Sequence, residues 1–211
     1  MIAQPPTGPR HFSLLRQLHL ADAFTLLNGF AGTGAVLAFM QFLLSGDLRY
    51  YWLGGGLLPF ALVMDVLDGR IARWRHKASP LGLQLDSLAD VVSFGVAPAA
   101  MGFATGLRGG WDMPLLLYFV GCGISRLARY NVSASSLSDD QGKVTHFQGM
   151  PIPTSLLLAA ILAGLTATGH SANASPLDVL ELGPWQLHPV ALLYFIHGSA
   201  MISKTLRIPK P

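Results

Sequence analysis

Charged residues are scarce in this sequence. Only 12% of the 211 residues are Asp, Glu, Lys or Arg, whereas soluble domains average about 25%. Apolar residues make up 51% of the chain, and the mean hydropathy is +0.46. This composition argues against a water-soluble globular domain.

Cysteine is also nearly absent. The single Cys122 excludes an intramolecular disulfide framework. The N-terminal segment MIAQPPTGPR has no apolar core followed by a small-residue cleavage site, so no secretory signal is predicted.

Long apolar segments dominate what is present. A helix needs about 20 mostly apolar residues to cross a hydrocarbon core of about 30 Å. The candidate spans are Ala21–Leu44, Tyr51–Arg73, Gly82–Thr105, Leu115–Ala134, Pro151–Thr168 and Pro189–Ile202. The last span is short, and a start nearer Trp185 is the alternative. We therefore predict an all-α polytopic membrane protein with six transmembrane helices, forming one domain over residues 1–211.

The segment before the first span has its own pattern. HFSLLRQLHLADAF places apolar residues beside Arg16 and His19. This pattern is typical of an amphipathic helix in the membrane interface, here within residues 1–20. The alternative is a simple extension of the first span.

Basic residues are distributed unevenly across the predicted spans. All of the 14 Lys and Arg residues except Arg49 and Arg108 fall on one side. Because positive residues accumulate on the cytosolic side, both chain termini are predicted to face the cytosol. The membrane would be a bacterial inner membrane or the endoplasmic reticulum.

Four carboxylates lie in one of the most apolar parts of the chain, MDVLDGRIARWRHKASPLGLQLDSLADVVSFG. Asp65 and Asp68 are three residues apart and share a helical face, as do Asp86 and Asp90, which are four apart. Converging carboxylates repel one another unless cations neutralise them. Oxygen ligands suit hard divalent ions such as Mg²⁺ or Mn²⁺. The pattern predicts a metal site that binds an anionic diphosphate, and the opening of this site faces the cytosol.

Three other interpretations of these aspartates stay open from the residues alone. They could form a structural ion network with Arg70, Arg73 and Arg75, or an ion pathway in a transporter. A structural membrane protein without chemistry is the third alternative, although it leaves the regular spacing unexplained.

The spacing resembles the signature of the CDP-alcohol phosphotransferase family. The matching pattern is Asp65-x2-Asp68-Gly69-x2-Ala72-Arg73-x8-Gly82-x3-Asp86-x3-Asp90. The resemblance implies a six-span helical fold and the transfer of a phosphatidyl-type group from a CDP-linked donor to an alcohol, with release of CMP. It also implies a homodimer.

The resemblance further implies roles for individual residues. Asp65, Asp68 and Asp86 would bind two Mg²⁺ or Mn²⁺ ions, and Asp90 would be the general base, close enough to the second metal to ligate it. The residues expected to contact the CDP moiety are Asp68, Gly69, Ala72, Arg73, Gly82 and Asn28.

Further segments resemble the phosphatidylserine synthase branch of that family. These are HLADAFTLLNGF, LDSLADVVSFGVAPA, RLARYNV and GMPIPT. This resemblance implies CDP-diacylglycerol as the donor, L-serine as the acceptor and membrane lipid as the surroundings, with no nucleic-acid partner. Inositol, glycerol phosphate and choline remain alternative acceptors.

Arg126 and Arg129 are three residues apart at the predicted cytosolic end of the fourth span. We expect them to bind the serine carboxylate through charge-assisted hydrogen bonds, with Asn131 as a further serine contact. The alternatives are lipid head-group binding for the two arginines and helix capping for Asn28 and Asn131.

Overall fold

The computed structural model describes residues 20–75, 80–136, 146–169, 179–203 and 207–209. The α-helices are α1 (Leu20–Ser45), α2 (Leu48–Arg75), α3 (Pro80–Asp90), α4 (Ala97–Thr105), α5 (Asp112–Ser136), α6 (Leu156–Ala167) and α7 (Ala191–Ile202). The short strands are β1 (His146–Gln148), β2 (Leu180–Leu182), β3 (Trp185–Leu187) and β4 (Arg207–Pro209). A 3₁₀-helical turn, Ile152–Ser155, leads into α6.

Helices α3 and α4 belong to one continuous rod, joined by a π-helical turn over Val91–Val96. Pro98 lies just beyond this turn and has no N–H to donate. Its ring would also crowd the carbonyl group of Phe94, four residues earlier, in a regular α-helix. A widened turn relieves that crowding, so the rod changes its hydrogen-bond register without ending.

Helices occupy all six predicted spans, and most boundaries fall within a few residues of those predicted. Three helical stretches are long and apolar enough to cross a membrane: Asp22–Ser45, Leu48–Ile71 and Leu81–Thr105. Two further apolar helical stretches are shorter, Ile152–Ala167 and Ala191–Ile202. The protein is an all-α membrane protein, and the count of six spans stays a prediction. The predicted interfacial helix lies outside the described residues, apart from the start of α1 at residue 20.

The rod is the central element of the bundle. In its most apolar window 61% of residues are buried, compared with 22% for α2. Helix α1 packs between α2 and the rod, while α5 packs mainly against α7 and also contacts the π turn. Phe94, Phe119 and Tyr194 are among the largest fully buried side chains. The Tyr194 hydroxyl donates to the carbonyl oxygen of Pro98 over 2.7 Å, which holds α7 against the rod.

The outer surface of the bundle is apolar. Large apolar side chains are exposed on the outward faces of several helices, among them Phe30, Leu44, Leu53, Val63, Leu88, Leu117, Leu157 and Ile196. Many large exposed apolar side chains are typical of a surface that contacts a membrane or a partner. Hydrocarbon chains would cover these faces in a bilayer.

Two small antiparallel pairings supplement the helices. Strand β1 pairs with β4, and β2 pairs with β3. Trp185 therefore lies in a strand and not at the start of the last helix, so the alternative start of the sixth span is wrong. The Trp185 ring packs edge-on against Trp111, which precedes α5.

Asp112 joins three segments at the end of the bundle where α5 begins. Its fully buried carboxylate accepts hydrogen bonds from the backbone N–H groups of Gly109 and His188. It also contacts Nδ1 of His188. These contacts attach the β2–β3 hairpin and the start of α7 to the first turn of α5.

Replacing Asp112 with Ala should destabilise the protein strongly, because breaking a buried pair leaves polar partners without compensation. We expect the Tm in detergent to fall by about 5–10 °C. Asp47→Ala is the control, since Asp47 pairs with Arg49, whose side chain is 90% exposed. Equal Tm values for the two variants would contradict the anchoring role of Asp112.

Candidate active site

Helix α2 and the rod bring three of the four predicted carboxylates together. One oxygen each from Asp65, Asp68 and Asp86 lies within 4.8 Å of the other two. Asp68 is buried, and the other two are partly buried. Oδ1 of Asp86 is buried and has no hydrogen-bond partner among the described residues. Three convergent carboxylates with an unpaired buried oxygen fit a hard divalent cation.

Asp90 is adjacent to these three carboxylates but is not part of the group whose oxygens lie within 4.8 Å of one another. It lies one helical turn beyond Asp86 at the end of α3, and it is 7% exposed. Its Oδ1 accepts a hydrogen bond of 3.1 Å from Nδ2 of Asn28 in α1. The sequence predicted Asp90 as both base and metal ligand, and both roles stay predictions.

Helix α1 supplies a polar face that the sequence analysis did not identify as a unit. Asp22, Thr25 and Asn28 are all at least 95% buried in an otherwise apolar helix. The hydroxyl of Thr25 donates to Oδ2 of Asp68 over 2.7 Å. Their spacing of three residues places them on one helical face. The sequence shows this face through the three-residue spacing of Asp22, Thr25 and Asn28 within an apolar span.

The two predicted serine-binding arginines have different surroundings. Arg126 is 9% exposed, lies close enough to Asp90 for their charges to interact, and leaves its buried Nε without a partner in the described part of the chain. Arg129 donates from Nη1 to the carbonyl oxygen of Ile202 over 3.0 Å. Arg129 thus caps the C-terminal end of α7 with one nitrogen, while its buried Nη2 has no partner within the described ranges.

The structure describes only some of the remaining predicted site residues. Nδ2 of Asn131 donates to the Ser87 hydroxyl over 2.9 Å, which ties α5 to α3. Gly69 and Gly82 are partly buried on α2 and α3, near the carboxylates in sequence. The side chains of Ala72 and Arg73 lie outside the described residues.

The sequence also matches a known family model. The model of the CDP-alcohol phosphatidyltransferase family aligns with residues 18–195, which include every carboxylate of the site. The chain belongs to this family. The interpretation as an ion-conducting transporter is therefore disfavoured.

Similar proteins occur in a yeast, a bacterium and an archaeon. The chain is 44% identical over 204 residues to a CDP-diacylglycerol–serine O-phosphatidyltransferase of Saccharomyces cerevisiae, covering 95% of this chain and 74% of the yeast protein. Proteins of the same name in Helicobacter pylori and Methanocaldococcus jannaschii are 39% and 33% identical. Those alignments cover 54% and 70% of this chain, and 47% and 61% of the two relatives.

Loss of one carboxylate should weaken metal binding much more than loss of a neighbouring hydroxyl. We expect Asp86→Ala to abolish measurable Mn²⁺ binding in a titration followed by electron paramagnetic resonance. Thr25→Val should weaken Mn²⁺ binding by about 10–100-fold, because Thr25 orients Asp68 without ligating the ion.

Thr105→Val is the matched control for the Thr25 variant. It removes another buried hydroxyl, one that donates to backbone carbonyls in α4. We expect it to bind Mn²⁺ like the parent protein. Unchanged Mn²⁺ affinity in the Asp86 variant would contradict the metal assignment.

Proposed function

We propose that this protein transfers the phosphatidyl group of CDP-diacylglycerol to the hydroxyl of L-serine, giving phosphatidylserine and CMP. The observation that carries the proposal is the division of the site into three close carboxylates and a separate fourth. The serine acceptor is supported by the names of relatives in a yeast, a bacterium and an archaeon.

Asp65, Asp68 and Asp86 would hold two divalent ions, Mg²⁺ or Mn²⁺. When bound, such ions neutralise the diphosphate and stabilise the charge that develops on its oxygens. Thr25 fixes the carboxylate of Asp68 through its hydroxyl hydrogen bond. The small residues Gly69 and Gly82 leave room for the cytidine and ribose beside α2 and α3, and Ala72, Arg73 and Asn28 remain proposed CDP contacts.

Asp90 is the proposed general base. The serine hydroxyl oxygen attacks the lipid-side phosphorus, and the bond from that phosphorus to the oxygen of the CMP leaving group breaks. The hydroxyl proton passes to Asp90, which lies beside the ligand carboxylates but outside their close group. The hydrogen bond from Asn28 leaves the second oxygen of Asp90 for this proton.

Arg126 is the stronger of the two proposed ligands for the serine carboxylate. Its guanidinium is buried, interacts with the charge of Asp90 and retains a donor without a described partner. Arg129 can contribute Nη2 while Nη1 remains on Ile202. Asn131, which is hydrogen-bonded to Ser87, would contribute by fixing α5 against α3.

The active site is proposed to open to the cytosol, where serine and CDP-lipid head groups are available. The uneven distribution of basic residues supports this orientation. The apolar exposed faces would contact lipid. A homodimer is proposed from the family resemblance alone.

Acceptor choice is tested with purified protein, CDP-diacylglycerol, Mn²⁺ and each candidate alcohol in parallel. We expect CMP release and phosphatidylserine formation with serine only. Arg126→Ala should raise the KM for serine by about 10–100-fold, because it removes a substrate contact worth one charge-assisted hydrogen bond.

Arg49→Ala is the matched control, since that arginine is exposed and pairs only with Asp47 among the described residues. It should keep the parent KM for serine. Rapid turnover of inositol or glycerol phosphate without turnover of serine would show that the acceptor is wrong and leave the metal site intact.

Orientation is tested by labelling introduced cysteines with an impermeant thiol reagent in sealed right-side-out vesicles. Gly8→Cys should stay unlabelled, whereas Ser45→Cys, at the exposed end of α1, should react. The buried Cys122 makes the parent protein a suitable background. The reverse labelling pattern would contradict the proposed orientation.

A further inference from the structure

The helical turn that follows Asp90 is unusual. Residues Val91–Val96 form a π-helix, in which the N–H of Ala97 donates to the carbonyl oxygen of Val92, five residues earlier. Such turns are rare inside α-helices and frequently occur at functional sites. Here the π-helix begins at the residue immediately after the proposed base.

Helix α1 approaches this π turn very closely at Gly32. A Cβ atom added to Gly32 would lie 2.6 Å from Cα of Ser93, a distance that real side chains do not tolerate. One helical turn earlier, a Cβ on Gly29 would lie 3.5 Å from the Cβ of Ala89. Small residues at these positions allow the backbones of α1 and the rod to pack directly together.

Two buried hydrogen bonds join the helices at this close approach. The hydroxyl of Ser93 donates to the backbone carbonyl oxygen of Asn28 over 2.9 Å. The side-chain amide of Asn28 then donates to Oδ1 of Asp90 over 3.1 Å. Ser93 and Asn28 are both fully buried. The rod thus holds α1 at Asn28, and Asn28 in turn holds the carboxylate at the end of α3.

The orientation of the Asn28 amide shows which contact determines it. Its Nδ2 faces Asp90, while its buried Oδ1 has no hydrogen-bond partner among the residues that the structure describes. Leaving a buried acceptor unpaired is costly. The opposite orientation would place the amide oxygen against the carboxylate oxygen of Asp90, so the contact with Asp90 determines the orientation.

We propose that Asn28 and Ser93 are positioning residues for Asp90, with Ser93 acting through Asn28. The inference rests on the proposed function, in which Asp90 accepts the hydroxyl proton. Asp90 lies close enough to Asp65, Asp68 and Asp86 for their charges to interact, and the hydrogen bond from Asn28 opposes that repulsion. A displacement of about 1 Å at a reacting group can reduce a rate by about 100-fold.

A double-mutant cycle on kcat tests the chain of contacts, with variants Ser93→Ala, Asn28→Ala and the double variant. We expect kcat to fall by about tenfold for Ser93→Ala and about 100-fold for Asn28→Ala. The double variant should be no slower than Asn28→Ala, because Ser93 has no effect once Asn28 is gone. The KM for serine should stay within about twofold of the parent in all three variants, and the KM for CDP-diacylglycerol should do so in Ser93→Ala.

Thr105→Val is again the matched control, because Thr105 is a buried hydroxyl donor to backbone carbonyls twelve residues further along the same rod. It should lower the Tm about as much as Ser93→Ala does and leave kcat unchanged. If Asn28→Ala does not fold, Asn28→Ser replaces it in the cycle.

Four results would overturn the inference. Parent-like kcat in Ser93→Ala would remove Ser93 from the site, and a multiplicative loss in the double variant would show that Ser93 does not act through Asn28. An equal loss of kcat in Thr105→Val would show a general effect of stability. If the parent protein releases no CMP with any alcohol, the proposed function fails, and this inference fails with it.

Discussion

Four carboxylates are buried or partly buried in an apolar bundle, and the helices around them must offset the cost of that burial. Ionised side chains at membrane depth are costly unless they are paired, hydrogen-bonded or bound to cations. Three carboxylate oxygens within 4.8 Å of one another add mutual repulsion to that cost. Helix α1 offsets part of it with donors from Thr25 and Asn28. The proposed divalent ion would offset the remainder, next to the unpaired Oδ1 of Asp86.

The rod links this constraint to the fold. It carries Asp86 and Asp90 and is the most buried of the three long apolar helical stretches. It contacts α1, α2 and α5, so side chains from three helices reach the carboxylates. Arg126 lies in the C-terminal half of α5. At the N-terminal end of the same helix, Asp112 anchors the β2–β3 hairpin and the start of α7. A buried rod that is hydrogen-bonded to its neighbours suits a site whose groups must stay within about 0.5 Å of a working geometry.

The parts that could be predicted from the sequence are those that follow from local periodicity. Apolar segment length located all six helical segments. The spacing of the four aspartates on two helices predicted their convergence, and the structure brings Asp65, Asp68 and Asp86 within 4.8 Å of one another. The π turn could not be predicted, because it depends on how Pro98 packs within a continuous rod. The Arg129 contact with Ile202 joins residues 73 positions apart, and no local pattern encodes it. The spacing of Thr25 from Asp22 and Asn28 could have predicted a shared polar face, although only the fold shows that Thr25 contacts Asp68.

We propose that three carboxylates bind metal while the fourth moves a proton. Single-turnover transfer in Asp90→Asn, measured together with the affinities for Mn²⁺ and CDP-diacylglycerol, separates these two roles. We expect parent-like affinity for both ligands and phosphatidyl transfer slower by about 10²–10⁴-fold, the usual contribution of a general base. Transfer at the parent rate, or loss of Mn²⁺ binding in this variant, would contradict the division of roles.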